Sequence, residues 1–476
     1  MGKATIAPQD TGQMNQTFLD YFRCPESLGD FAVGGELSAD SGYFCFGEET
    51  ICFGALSQGS LNPQPTDALY NALVDAECAG SPLRLPFDPS QVVENLRHER
   101  YVIDSQPGGR RTGTGTLLMN LYYWVRPLMP VAVRRHLQRI YLRNWNKTPF
   151  PRWPVDLTVE QIHEKLMALV LKANRLERIP FIWFWPHGAP CCLTMTHDVE
   201  TSAGRDFCPA LMDLNDSFDI KSSFQIVPEK RYDVPARLLE EIRKRGFEVN
   251  VHDLNHDGHL YSDRDEFAQR AHKINQYARD FGAQGFRAGV MYRRLEWYDA
   301  FEFSYDMSVP NVAHLDPQRG GCCTVMPYFV GQILELPLTT TQDYSLFHVL
   351  GDYSIELWKE QIGLIREKHG LISFIVHPDY VIESRARAVY TSLLQHLAAL
   401  RTEANVWAAL PGEVDTWWRQ RAAMQLVKEG DRWRIEGPAK ERACLAFAQL
   451  EDEQIVYRVE SGPAKQATGA KGNESG

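Results

Sequence analysis

Residues 247–256 read FEVNVHDLNH, a short apolar-rich run that ends directly in two histidines. The run 247–251 predicts a strand. Just upstream, Pro235 sits in the first turn of a predicted helix, Leu238, Leu239 and Ile242 mark its inner face, and Gly246 stops it. The same alternation of helical and short apolar segments continues from about residue 179, with further candidate strands at 191–196, 223–227, 285–287, 333–336, 371–376 and 406–410. Strands joined by crossover helices imply an α/β fold built on a parallel sheet or barrel.

In such folds the working residues gather at the C-terminal ends of the strands. Four candidate strands end in reactive groups. The first runs into Thr196-His197-Asp198-Val199-Glu200, where two carboxylates two positions apart suit two tasks, holding a metal and moving a proton. Acids alone are weak evidence, and a solvated turn is the default for such a segment taken in isolation. The second is His252-Asp253-Leu254-Asn255-His256, with His259 close behind. Two histidines four apart on one helical turn point at a common ion. This is not the His-Glu-x-x-His pattern of zinc proteases, because Asp253 follows the first histidine and a strand precedes it. The third and fourth are Gly285-Phe286-Arg287-Ala288-Gly289 and Ile375-Val376-His377-Pro378. Together they supply a carboxylate and two histidines for a metal, a second carboxylate as base, an arginine to keep it ionised, and a histidine as acid.

With these motifs in place, residues 179–421 resemble the polysaccharide deacetylases of carbohydrate esterase family four. The resemblance implies a distorted (β/α) barrel, with Asp198 as base, Glu200, His252 and His256 as metal ligands, Arg287 beside the base, and His377 as acid. Three departures stand out. Glu200 replaces the usual Asp ligand, Asp253 replaces the hydroxyl residue of the His-Ser/Thr-x-x-His motif, and Gly289 and Val290 replace the Pro-Tyr of the Arg-x-Pro-Tyr motif. The family's aromatic Asp-x-x-Asp-Trp motif is not recognisable, although Asp306 falls at about the right interval to face the site. The implied cofactor is a divalent metal, with Zn favoured, and the implied substrate is an N-acetylated or O-acetylated sugar or saccharide precursor attacked by water. The backbone N–H of Val290 is a candidate oxyanion donor, and Tyr292 and Trp297 are candidates to stack on a sugar ring or, equally, to pack in the core. Two rivals are a cyclic amide or imide hydrolase on the same scaffold and a saccharide-binding relative without turnover.

The rest of the chain frames this centre. At 476 residues, two or three domains are expected. A net charge of −11 argues against a nucleic-acid partner. The opening residues lack a basic and apolar leader pattern, and the longest apolar stretch, 117–133, is broken by Asn120, Arg126, Pro127 and Pro130, so a cytoplasmic chain without a transmembrane span is expected. Ten cysteines without a Cys-x-x-Cys pair read as reduced, mostly buried thiols. Residues 1–105 read as a small strand-rich module and 106–178 as a helical, partly basic connection. Its Gly/Thr-rich stretch 106–116 fits neither a P-loop nor a dinucleotide fingerprint. Across 134–152, basic residues alternate with aromatics as on an amphipathic helix, with a solvated face or an anionic lipid or polymer as its counterpart. Thr158 and Gln161 predict a capping box for the next helix. Beyond the barrel, 422–461 reads as a β appendage and 462–476 as a disordered tail. The oligomeric state is not legible.

Overall fold

The computed structural model describes residues 13–66, 68–77, 82–102 and 145–460. The readings of 106–116 and 117–133, the part of the basic segment before Trp145, and the tail 462–476 lie outside the described residues. No helix among the described residues is long and apolar enough to cross a membrane.

The centre is a curled nine-stranded sheet. Its strands are β1 (Cys192–Val199), β2 (Ser223–Ile226), β3 (Glu248–His252), β4 (Gly285–Arg287), β5 (Tyr305–Asp306), β6 (Tyr328–Val330), β7 (Ile333–Glu335), β8 (Leu371–Ile375) and β9 (Trp407–Ala408). Neighbours run parallel in the order β7-β5-β4-β3-β2-β1-β8, and β6 closes the far edge antiparallel to β7. One edge of β1 pairs with β8, while the other is shared by β9 at Cys192 and Leu193 and by β2 from Thr196 onward. Helices Ser202–Ser217, Ala236–Lys244, Arg264–Phe281, Glu356–Glu367 and Ser384–Glu403 lie on the crossovers. Each buries one apolar stripe, such as Leu238, Leu239 and Ile242, against the sheet.

The ladder does not close between β7 and β8, so the barrel is distorted, and hydroxyl groups bridge the gap. Ser373 N donates to Thr339 Oγ1 at 3.0 Å, Thr339 N donates to Ser373 Oγ at 2.9 Å, and Thr339 Oγ1 donates to the Leu371 carbonyl at 2.7 Å. Thr340 Oγ1 adds a bond to the Ser373 carbonyl at 2.7 Å. These bonds satisfy backbone groups of an edge that would otherwise lie buried and unpaired.

The N-terminal region and the C-terminal strands share a second core with the barrel. It joins Phe18, Phe22, Phe44 and Phe87 to Leu334, Leu336, Leu371, Trp417 and Ala446. Strand Arg178–Ile182 belongs here, pairing with Leu445–Glu451 and not with the barrel sheet, so the barrel proper begins at Cys192 and the boundary read at 179 cuts through this second sheet. The buried Arg421 guanidinium ties the parts together, donating to the carbonyls of Tyr21 at 2.8 Å, Ile182 at 2.7 Å and Trp183 at 3.0 Å. Helix Thr158–Asn174 forms as predicted, but Leu157 occupies the cap position without a side-chain cap bond. Asp156 accepts the Thr158 N–H at 2.9 Å in its place, and Gln161 is taken up by Thr50. The nine described cysteines are free, and seven of them are buried.

Candidate metal centre

Alternation along β1 sends Asp198 one way and its neighbour His197 the other. His197 is fully buried, with Nδ1 2.9 Å from the Val376 carbonyl and Nε2 2.9 Å from the Asn215 amide. Burial pushes its pKa down to about 4, so it is a neutral core histidine. Asp198 is 3% exposed, and Glu200 follows just past the strand end, before helix Ser202–Ser217.

His252 is the last residue of β3, in register with Arg287 on β4, and its Nδ1 lies 3.1 Å from the Arg287 carbonyl. His256 sits in the following loop. The expected helical turn is absent there, because Asp253 and His256 both adopt left-handed backbone, with φ of 56° and 54°. The i, i+4 spacing still brings the two rings together, with centroids 4.9 Å apart.

Glu200, His252 and His256 each offer a ligand atom, all within 4.8 Å of one another. Glu200 Oε1 stands 2.8 Å from His256 Nε2 and 3.6 Å from His252 Nε2. Neither His252 Nε2 nor either His256 nitrogen completes a well-formed hydrogen bond, although all are buried. Buried imidazole nitrogens left open around a carboxylate oxygen are a donor set that fits a divalent cation of the zinc type.

Two further groups adjoin this set. Asp198 Oδ1 accepts from Arg287 Nη1 at 2.7 Å, and its Oδ2 lies 3.8 Å from His252 Nε2. Arg287 is itself fixed by Thr196 Oγ1 at 2.7 Å and the Met307 carbonyl at 3.0 Å. Burial alone would raise the Asp198 pKa, but the Arg287 charge, helped by His252 and His377, holds it below the usual carboxylate value. On the other flank, His377 Nε2 is 3.4 Å from Glu200 Oε1. Its Nδ1 meets Asp343 Oδ1 at 2.6 Å, and its backbone N–H donates to Asp343 Oδ2 at 2.7 Å. Burial opposes a charge on His377, yet Asp343 and then Glu200 outweigh it and push the pKa well above the ordinary value.

Sequence reasoning missed Asp343. The signal was present, since 339–343 is a polar run ending in an acid just beyond the strand read at 333–336. The remaining candidates lie as follows. Asp306 accepts from Tyr298 Oη at 2.9 Å and from Ser308 Oγ at 2.9 Å, and Ser308 Oγ in turn accepts the Ala288 N–H at 2.8 Å, so Asp306 braces the chain behind Arg287. Trp297 packs on Phe267 at 5.2 Å, with the guanidinium groups of Arg294 and Arg264 over its ring at 5.1 and 5.4 Å. Tyr292 is partly buried against the barrel core. Val290 has a φ of 62°, a conformation that a β-branched residue adopts only under constraint, and Met291 follows with a φ of 54°.

No protein-family model matches the chain, and no curated protein matches it. Solved structures do. A Mycobacterium smegmatis protein described as a polysaccharide deacetylase is 18% identical with a TM-score of 0.41, over 53% of this chain and 98% of that one. An allantoinase is 14% identical with a TM-score of 0.38, over 49% of this chain and 92% of that one. A Bacillus anthracis protein described as a pseudoenzyme of carbohydrate esterase family four is 14% identical with a TM-score of 0.31, over 47% of this chain and 65% of that one. Each of these alignments spans about half of this chain.

Proposed function

We propose that the chain is a metal-dependent hydrolase that removes an acetyl group from an N-acetylated or O-acetylated sugar or saccharide precursor. The observation that carries this reading is the flanking of the Glu200, His252 and His256 donor set by an ionised carboxylate at Asp198 and a hydrogen-bonded histidine at His377. A base and an acid beside one donor set suit a hydrolysis in which one proton is taken and another delivered.

Glu200, His252 and His256 would hold the metal, and Zn would suit their two nitrogens and one oxygen. When bound, it supplies Lewis acidity toward the acyl carbonyl and makes a water more acidic. Asp198 accepts the proton of the attacking water, and Arg287 keeps that carboxylate ionised until then. His377 delivers its Nε2 proton to the departing amine or alkoxide, while Asp343 fixes the ring through Nδ1 and favours its protonated form. The Val290 N–H serves as the oxyanion donor, a role that depends on backbone position and not on a particular side chain.

Acetate release from N-acetylglucosamine and its oligomers, with Zn supplied and with chelator, tests the reading. Chelator-sensitive acetate release is expected. Ring opening of small cyclic imides without acetate release from any sugar would transfer the same chemistry to the other substrate class, and metal-free protein that binds sugar without turnover would remove the enzymatic reading.

A further inference from the structure

Away from the metal donors, a cleft of about 360 Å³ opens among Trp145, Asn146, Thr148, Arg152, Trp153 and His314. We infer that this cleft is a saccharide subsite, which takes a sugar ring beyond the one that carries the acyl group. The inference rests on the hydrolase reading for what occupies the metal centre, but its own observations are separate.

Position comes first. His314 lies on the chain that leaves the C-terminal end of β5, the end of the sheet at which the metal donors follow β1 and β3. Trp153 also lines a smaller inner cavity together with Asp316 and residues 339–342, and that last segment runs directly into Asp343, the partner of His377. Trp153 therefore stands between the cleft and the cavity that borders the segment leading to the acid's partner.

The lining chemistry selects the ligand. The rings of Trp153 and His314 are nearly parallel, 19° apart with centroids at 5.9 Å, and Trp145 meets Trp153 edge-on at 4.8 Å. Both indoles are only partly buried. Flat apolar faces bordered by polar groups suit the C–H face of a sugar ring. His314 is 2% exposed and neither ring nitrogen completes a hydrogen bond, although the Pro151 carbonyl lies alongside. A buried imidazole in this state calls for a partner. Burial, then Arg319, keeps it neutral, and with its one N–H toward the Pro151 carbonyl the other ring nitrogen is left as an acceptor for a hydroxyl group. Arg152, the charged group among the described lining residues, is already engaged by the Glu49 carbonyl at 2.8 Å, with the Glu49 carboxylate 3.8 Å away. A neutral polyol fits this cleft better than an anionic lipid surface does.

The test titrates the full chain with N-acetylglucosamine and with its tetramer, following tryptophan fluorescence, and measures acetate release from both in parallel. Trp153→Ala is expected to weaken tetramer binding about tenfold, the effect of losing one aromatic stacking contact, and to leave the monomer unchanged. Trp145→Ala, at the rim of the cleft, should act in the same direction if Trp153→Ala disturbs folding. Wild-type tetramer affinity in both variants would overturn the subsite, as would Trp153-dependent binding of phosphatidylserine vesicles with no binding of the tetramer. Acetate release with no effect of either variant removes the subsite and leaves the hydrolase. Trp153-dependent tetramer binding without acetate release supports the subsite and removes the hydrolase.

Discussion

The carboxylate of Asp253 fills the space that a side chain at residue 289 would need: a Cβ built on Gly289 would stand 2.5 Å from Asp253 Oδ2 and 3.1 Å from His256 Cδ2. The backbone of Gly289 is not left-handed, so the demand for glycine is steric. The sizes of residues 253 and 289 are thus matched across one contact.

Gly289→Ala alone is expected to displace Asp253 and the His256 loop, at a cost of about 1–3 kcal/mol and with loss of metal affinity. Asp253→Ser should recover much of that loss in the double variant. Thermal unfolding and bound-metal analysis of the four proteins give the coupling, and strictly additive effects would show that the contact is not shared.

Asp198→Asn is expected to keep the metal and lose roughly 10²- to 10⁴-fold in turnover, because an amide accepts no proton. It should also lower the melting temperature, since Arg287 is 2% exposed and would lose the carboxylate that balances it. Glu200→Ala should lower metal content itself. Asp198→Asn without metal, alongside Glu200→Ala with both metal and activity, would reverse the two roles.

Asp343→Asn addresses positioning of the acid. Because Asp343 is the main influence raising the His377 pKa, its removal lowers that pKa, and the alkaline limb of the kcat/KM profile should move to lower pH. The loss should be larger for amides than for esters with good leaving groups. An unshifted alkaline limb would separate Asp343 from the proton transfer.

Glu160 gives a stability prediction away from the centre. Burial raises its pKa to about 7, with Thr324 and the Val325 N–H on Oε1 and no partner on Oε2. The folded state then binds the proton more tightly than the unfolded state, so stability falls as pH rises from the ordinary carboxylate range to about 7, by an amount of order 3 kcal/mol. Glu160→Gln should flatten that slope in denaturant titrations across the window, and an unchanged slope would assign it to other groups.

The barrel was legible because short apolar or alternating runs, such as Leu371–Ile375 and Ser223–Ile226, recur between helical patterns, and each of the four reactive ends lies at a strand terminus. Strands β5 and β6 escaped because they are two or three residues long and no α-helix leads into them, whereas the equally short β4 and β9 each follow one. Strand Arg178–Ile182 escaped because Pro180 argues against a strand, yet it pairs with Phe447 in a small outer sheet. The partnership of Asp343 with His377 spans 34 residues and arises only when β8 is laid beside the chain leaving β7. Residues 252–256 were read as a helical turn, and the left-handed backbone at Asp253 and His256 has no signature in their side chains.

The clamp made by Arg421 also sets an order of events during synthesis. Its bond to the Tyr21 carbonyl spans 400 residues, so at about 5–20 residues per second roughly 20–80 s separate the appearance of the two partners on the ribosome. Throughout that interval Phe22 lacks Tyr457, whose ring packs on it at 6.1 Å, while His163 and Phe181 arrive only part-way through it. The nascent chain therefore depends on holding factors or on a slow late docking step, and its yield in a cell should respond to chaperone supply more steeply than that of a barrel whose first segment folds as it emerges.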